Sequence, residues 1–142
     1  MKMKLITFSL FVVFLVGCTQ IDEQNIKENN LKVNDMKVEK QYEDVTSEKL
    51  KQMLDSGEDL FLVDVHIPEQ QHIKGTDAFM PYNEIENNLD SLPDKNAKIV
   101  LYCKSGSMSR EAAQKLADLG YKNVLNHLGG TIDWKNKGFE FE

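Results

Sequence analysis

The chain has 142 residues, enough for one domain with appendages, and its 41% hydrophobic against 28% charged content is that of a soluble globular protein. Its net charge of −6 argues against nucleic acid, which needs clustered Lys and Arg to displace counterions, and would repel an anionic lipid surface. Three scattered His and two Cys have no metal-ligand spacing, so no metal and no cofactor is expected.

In chain order, residues 1–17 read as a signal peptide: a basic "MKMK" start is followed by the apolar run "LITFSLFVVFLVG", too short for a span of about 20 residues. The ending "LVGC" resembles the lipobox of bacterial lipoproteins, in which the signal is cut before the cysteine and a lipid, such as palmitate, is carried there. Cys18 is then the lipidated N-terminus of a protein held to the extracytoplasmic face of the cell membrane. A plain signal peptide or an anchor helix with an incidental cysteine is the alternative. Cleavage would remove Lys2 and Lys4 from 17 basic residues set against 23 acidic ones, taking the charge from −6 to −8. Residues 18–40, rich in Asn, Lys, Glu and Gln, bury too little apolar surface to offset ordering entropy and read as a flexible tether.

Residues 41–142 read as one α/β domain. "TSEKLKQMLDSG" predicts a helix with Leu50, Met53 and Leu54 at helical spacing, Thr46 as N-cap and Gly57 past its end. "LFLVDV" is a buried strand, "EIENNLDSL" a short helix closed by "PDKN", and "AKIVLYC" a second strong strand. "SREAAQKLADLG" is a helix with Ala112, Ala113, Leu116 and Leu119 on one face, "KNVLN" a third strand, and "GGTIDWKNKG" a last short helix. Strands alternating with helices imply a mainly parallel central sheet covered on both faces, a three-layer α/β/α sandwich.

In such sheets ligands sit at the carboxyl ends of the strands. Cys103 stands at one, and "KSGSM" joins it to a helix starting near Ser107 or Ser109, whose N–H groups and dipole would favour a thiolate. With Cys18 lipidated, Cys103 is an unpaired thiol in an oxidising compartment and is expected there for its chemistry.

"YCKSGSMSREAA" resembles the active-site loop of the rhodanese family; "LVDVHIPEQQHIKG" and "GYKNVLNHLGGTIDW" are similar to two further family segments, so the likeness runs from about Tyr42 to Phe139. The resemblance implies a sulfurtransferase. Cys103 would take a sulfane sulfur from thiosulfate or a polysulfide as a persulfide and pass it to a thiol or other thiophilic acceptor. Lys104, Ser105, Gly106, Ser107, Met108 and Ser109 would form the substrate-binding loop. Met108 stands where the family usually has Arg; a thioether offers no donors to an oxyanion, so it is expected to line the pocket and favour organic polysulfides. Arg110 falls in the helix's first turn and reads as a surface residue. Asp64 is expected to support the loop region by hydrogen bonds, His72 to pack or hydrogen-bond rather than move protons, and Trp134, Phe79 and Phe139 to fill the core. A phosphatase or arsenate reductase reading lacks its Cys-x5-Arg loop, since the first Arg follows after six residues. A membrane-tethered binding or redox-sensing module whose thiol does not turn over remains the alternative.

Overall fold

A computed structural model describes residues 40–142. The signal segment, Cys18 and all but the last residue of the expected tether lie outside the described residues.

Among the described residues five strands form one parallel sheet in the order β1-β5-β4-β2-β3: β1 (Glu43–Val45), β2 (Phe61–Asp64), β3 (Ala78–Phe79), β4 (Lys98–Tyr102) and β5 (Asn123–His127). Successive side chains of a strand point to opposite faces. On β4 this sends Ile99 and Leu101 into one apolar cluster, together with Cys103 just past the strand's end, while Val100 and Tyr102 enter the other. A central strand buried on both faces must therefore be apolar throughout, which is why "IVLY" shows no alternation.

Helix α2 (Ser107–Asp118) covers the first face with Ala112, Ala113 and Leu116. Helices α1 (Ser47–Asp55) and α3 (Gly130–Asn136) cover the second with Leu50, Met53 and Trp134. The short Ala112 and Ala113 let α2 approach the sheet closely. Leu50 is fully buried, and truncating such a side chain to Ala costs about 2 to 5 kcal/mol. The ends of α1 follow from local chemistry: Thr46 Oγ1 accepts from the Lys49 N–H at 3.3 Å, and Gly57 leaves the helix at φ 66°.

One predicted helix is absent. "EIENNLDSL" forms two single 3-10 turns, Ile85–Asn87 and Leu89–Ser91. The Asn88 side chain donates to the Glu84 carbonyl at 2.9 Å, taking the acceptor that an α-helix would offer to the Asn88 N–H, and that N–H turns to Ile85 instead. Strands β1 and β3 were not expected, having three and two residues. Trp134 is buried as expected, whereas Phe79 and Phe139 are only half-buried.

Candidate active site

Strand β4 ends at Tyr102 and α2 starts at Ser107, so residues 103–106 make a tight loop over the carboxyl end of the sheet's middle strand. Cys103 is 1% exposed. Its Sγ accepts from the Gly106 N–H at 3.1 Å and faces the buried Ser109 Oγ at 3.5 Å. Burial pushes the thiol pKa up, but hydrogen bonds from the Ser109 side chain and from the backbone N–H groups of Ser109, Ser105 and Gly106 outweigh it, so the pKa is held below that of an ordinary thiol. The sulfur can thus ionise where its charge meets several fixed donors, the arrangement that makes a buried thiol a nucleophile.

Two glycines permit this loop. Gly106 has φ 89°, and a Cβ there would lie 2.1 Å from the Leu128 carbonyl oxygen, so β5 and the loop can touch only through a residue without a side chain. Gly130, at φ 56°, does the same from α3: a Cβ would stand 2.4 Å from the Cys103 carbonyl oxygen. That close approach lets the Thr131 N–H donate to the Cys103 carbonyl at 2.9 Å and the Ile132 N–H to the Lys104 carbonyl at 3.1 Å. The loop is consequently clamped by α2 on one side and α3 on the other.

The remaining loop residues face outward. Lys104, Ser105 and Ser107 are exposed, and Lys104 borders a groove of about 580 Å³ shared with Gln70, Thr131, Ile132, Lys135 and Phe139. Met108 is half-buried against the α2 side of the core. It is not among the residues bordering that groove. Arg110 is exposed, with its charge near Asp44.

Asp64 is fully buried, and its bonds go elsewhere than the cysteine loop: Oδ1 accepts from the His66 N–H at 2.9 Å, and both oxygens from the Gln70 amide, at 3.3 and 3.2 Å. It reaches the site's surroundings through Gln70, whose Oε1 accepts from Thr131 Oγ1 at 3.0 Å on α3. His72 stacks on Phe79 and lies 3.4 Å from Glu69 Oε1. Among the described residues no three His, Cys, Asp or Glu side chains gather as a metal-ligand set.

Sequence reasoning missed Asn126 and Asp44. Asn126 is fully buried on β5 beneath Ser109, accepting its hydroxyl at 2.7 Å, and donates to Asp44 Oδ1 at 2.8 Å on β1. No motif marks a polar residue on a buried strand. The signal was the polarity itself, an Asn directly after the apolar "VL" of a strand expected to be covered on both faces.

Residues 46–137 match the family described as "Rhodanese-like domain". The chain is 35% identical over 97 residues to a protein named "Sulfurtransferase" from Allochromatium vinosum, covering 67% of this chain and 90% of that one. It is 35% identical over 75 residues to "Thiosulfate sulfurtransferase PspE" from Escherichia coli, covering 50% of this chain and 70% of the relative. Among solved structures, a rhodanese-like domain protein from Staphylococcus aureus superposes with a TM-score of 0.61 at 26% identity, over 70% of this chain and 98% of that one.

Proposed function

The chain belongs to the rhodanese-like domain family, and from that premise we propose that it is a sulfurtransferase working through a persulfide on Cys103. The observation that carries the reading is the cradle of donors around a buried, readily ionised sulfur. The Cys103 thiolate attacks the outer sulfur of a donor such as thiosulfate; the S–S bond of the donor breaks, sulfite leaves with the bonding pair, and the outer sulfur remains on Cys103 as an anionic persulfide. An acceptor thiolate then attacks that terminal sulfur, carries it away as its own persulfide, and returns Cys103 as thiolate. The negative charge stays near the loop throughout, so the same N–H groups serve every stage.

Relatives carrying sulfurtransferase names support sulfur transfer, and one of them is named for thiosulfate. Met108 favours a different donor here. A guanidinium at that position would fork two donors toward an oxyanion, whereas the thioether presents none, which points to a polysulfide or organic persulfide. Lys104 and Lys135, both exposed beside the loop, give an anionic donor or acceptor its approach. The "LVGC" segment supports lipidation at Cys18 and attachment to the extracytoplasmic face of the cell membrane.

Intact mass spectrometry tests the chemistry. After polysulfide or thiosulfate, one sulfur atom should be added, localised to Cys103 and removed by cyanide or a small thiol. A protein that takes up no sulfur from either donor, or takes it up in a Cys103→Ser variant, is not working by this route.

A further inference from the structure

Ser109 carries one hydroxyl proton and faces two acceptors. Asn126 Oδ1 lies 2.7 Å from its Oγ and Cys103 Sγ lies 3.5 Å away. A serine hydroxyl donates one bond at a time. Which acceptor holds the proton depends on what Asn126 presents, and that is fixed by chemistry on the next strand. Asp44 sits directly across from Asn126 in the β1–β5 register, and its Oδ1 is 2.8 Å from Asn126 Nδ2. A carboxylate only accepts, so the amide NH2 must turn to Asp44 and the amide oxygen must turn to Ser109. Burial pushes the Asp44 pKa up, but the Lys40 and Asn126 hydrogen bonds and the charges of Lys40 and Arg110 outweigh it and keep the group ionised at neutral pH.

We propose that Asn126, oriented by Asp44, is a positioning residue that competes with the Cys103 sulfur for the single proton of Ser109. While Cys103 is a thiol, Ser109 donates to Asn126 and its lone pair faces the S–H. When Cys103 ionises, Ser109 must rotate toward the sulfur and leave the buried Asn126 oxygen without a donor. Asn126 therefore opposes the free thiolate. Once Cys103 carries a second sulfur, the charge moves to the outer atom and Ser109 returns to Asn126. The relay thus favours the loaded enzyme over the free thiolate, because Ser109, Asn126 and Asp44 are again mutually paired once the charge lies on the outer sulfur. No bond to sulfur is made or broken by Asn126.

The charged groups that face the relay are Asp44 itself, Lys40, which bonds to it, and Arg110 on α2, whose charge is felt at Asp44; Lys104 in the loop is exposed. Removing Asp44 also removes a negative charge, which alone would favour a thiolate, so the test is a cycle with Ser109. In the full chain, the pH dependence of iodoacetamide alkylation at Cys103, read by peptide mass spectrometry, reports its thiolate independently of Cys18 and of any sulfur donor. Asn126→Leu should lower the Cys103 pKa by about 0.5 to 1 unit, the worth of one buried hydrogen bond released. In a Ser109→Ala background the same substitution should produce no shift. Asp44→Asn, at a partly exposed edge-strand position, provides a second cycle should Asn126→Leu fail to fold; its shift should be larger with Ser109 than without it. Equal shifts in the two backgrounds, or a rise on removing Asn126, would overturn the competition. Because the readout is the thiol itself, a failed relay and a failed sulfur-transfer assay are separate results.

Discussion

Acidification should destabilise this domain through His127, ahead of its carboxylates. The imidazole is fully buried, with its edge to Trp134 at 5.9 Å between ring centroids. Its Nε2 is 2.7 Å from Ser47 Oγ, and Ser47 donates its only proton to Asp133 Oδ2 in a short hydrogen bond. Nε2 must therefore carry the ring proton and donate to Ser47. Nδ1 is left buried without a partner, so a second proton there would be a charge facing no acceptor. Burial, opposed by the charges of Asp133 and Glu48, pulls the His127 pKa down to about 4 from an ordinary 6.5. Between those values the unfolded chain binds a proton that the folded one refuses, so stability falls as pH falls through this window. The total is about 3 kcal/mol, with about 2 kcal/mol lost between pH 7 and pH 5. Asp44, Asp94 and Glu140, whose folded pKa values are lowered, contribute their losses at lower pH; Asp64, whose pKa burial raises, works in the opposite direction as it protonates, so the His127 share is read as the slope that the His127 variant removes. Urea denaturation at pH 7, 6 and 5 measures the slope, and His127→Gln, which keeps a donor toward Ser47 but cannot titrate, should remove it. If the native protein is equally stable at pH 7 and 5, or the Gln variant keeps the same slope, the proton bookkeeping around Ser47 is wrong.

Cys103→Ser should retain the fold, since thiol and hydroxyl differ little in volume, and lose all sulfur uptake by mass spectrometry. Met108→Arg should raise kcat/KM for thiosulfate relative to an uncharged organic polysulfide by roughly tenfold to a hundredfold, the effect of one charge-assisted hydrogen bond of about 1.5 to 3 kcal/mol made in the transition state; an unchanged ratio means the residue does not read the donor. Gly130→Ala should slow Cys103 alkylation and destabilise the domain by about 2 to 4 kcal/mol, from the left-handed backbone and two loop hydrogen bonds, as measured by urea denaturation. Cys18→Ala should abolish fatty-acid labelling and release the protein from the membrane fraction; undiminished labelling would refute lipidation there.

The thiol's position was legible because it is a local matter. An apolar run, a cysteine, a small polar loop and a helical alanine face occur consecutively, and strand, loop and helix N-terminus follow from residues within a few positions of one another. The same holds for Thr46 and Gly57 at the ends of α1. The two edge strands were not legible, because "EDV" and "AF" are too short to show a period and owe their conformation to pairing with β5 and β2. "EIENNLDSL" misled because its apolar spacing suits a helix while Asn88 closes a tighter turn with its side chain.

What the sequence could not show is how the loop's reactivity is governed from outside the loop. Ser109 lies 17 residues from Asn126, and Asn126 lies 82 from Asp44. Their meeting depends on β1 joining β5 in parallel, with Asp44 opposite Asn126, and on β5 running beside β4 so that Asn126 lies under the start of α2. An Asn on a buried strand is costly unless it is satisfied on both sides, and here one side is a carboxylate at the sheet's edge and the other is the hydroxyl that also serves the sulfur. The edge strand that left no period in the sequence thereby sets the direction of one amide, and through it the number of donors that a thiolate at Cys103 can hold. A motif can name the nucleophile and its loop, whereas the relay proposed for Ser109, Asn126 and Asp44 rests on strand register, which no motif carries.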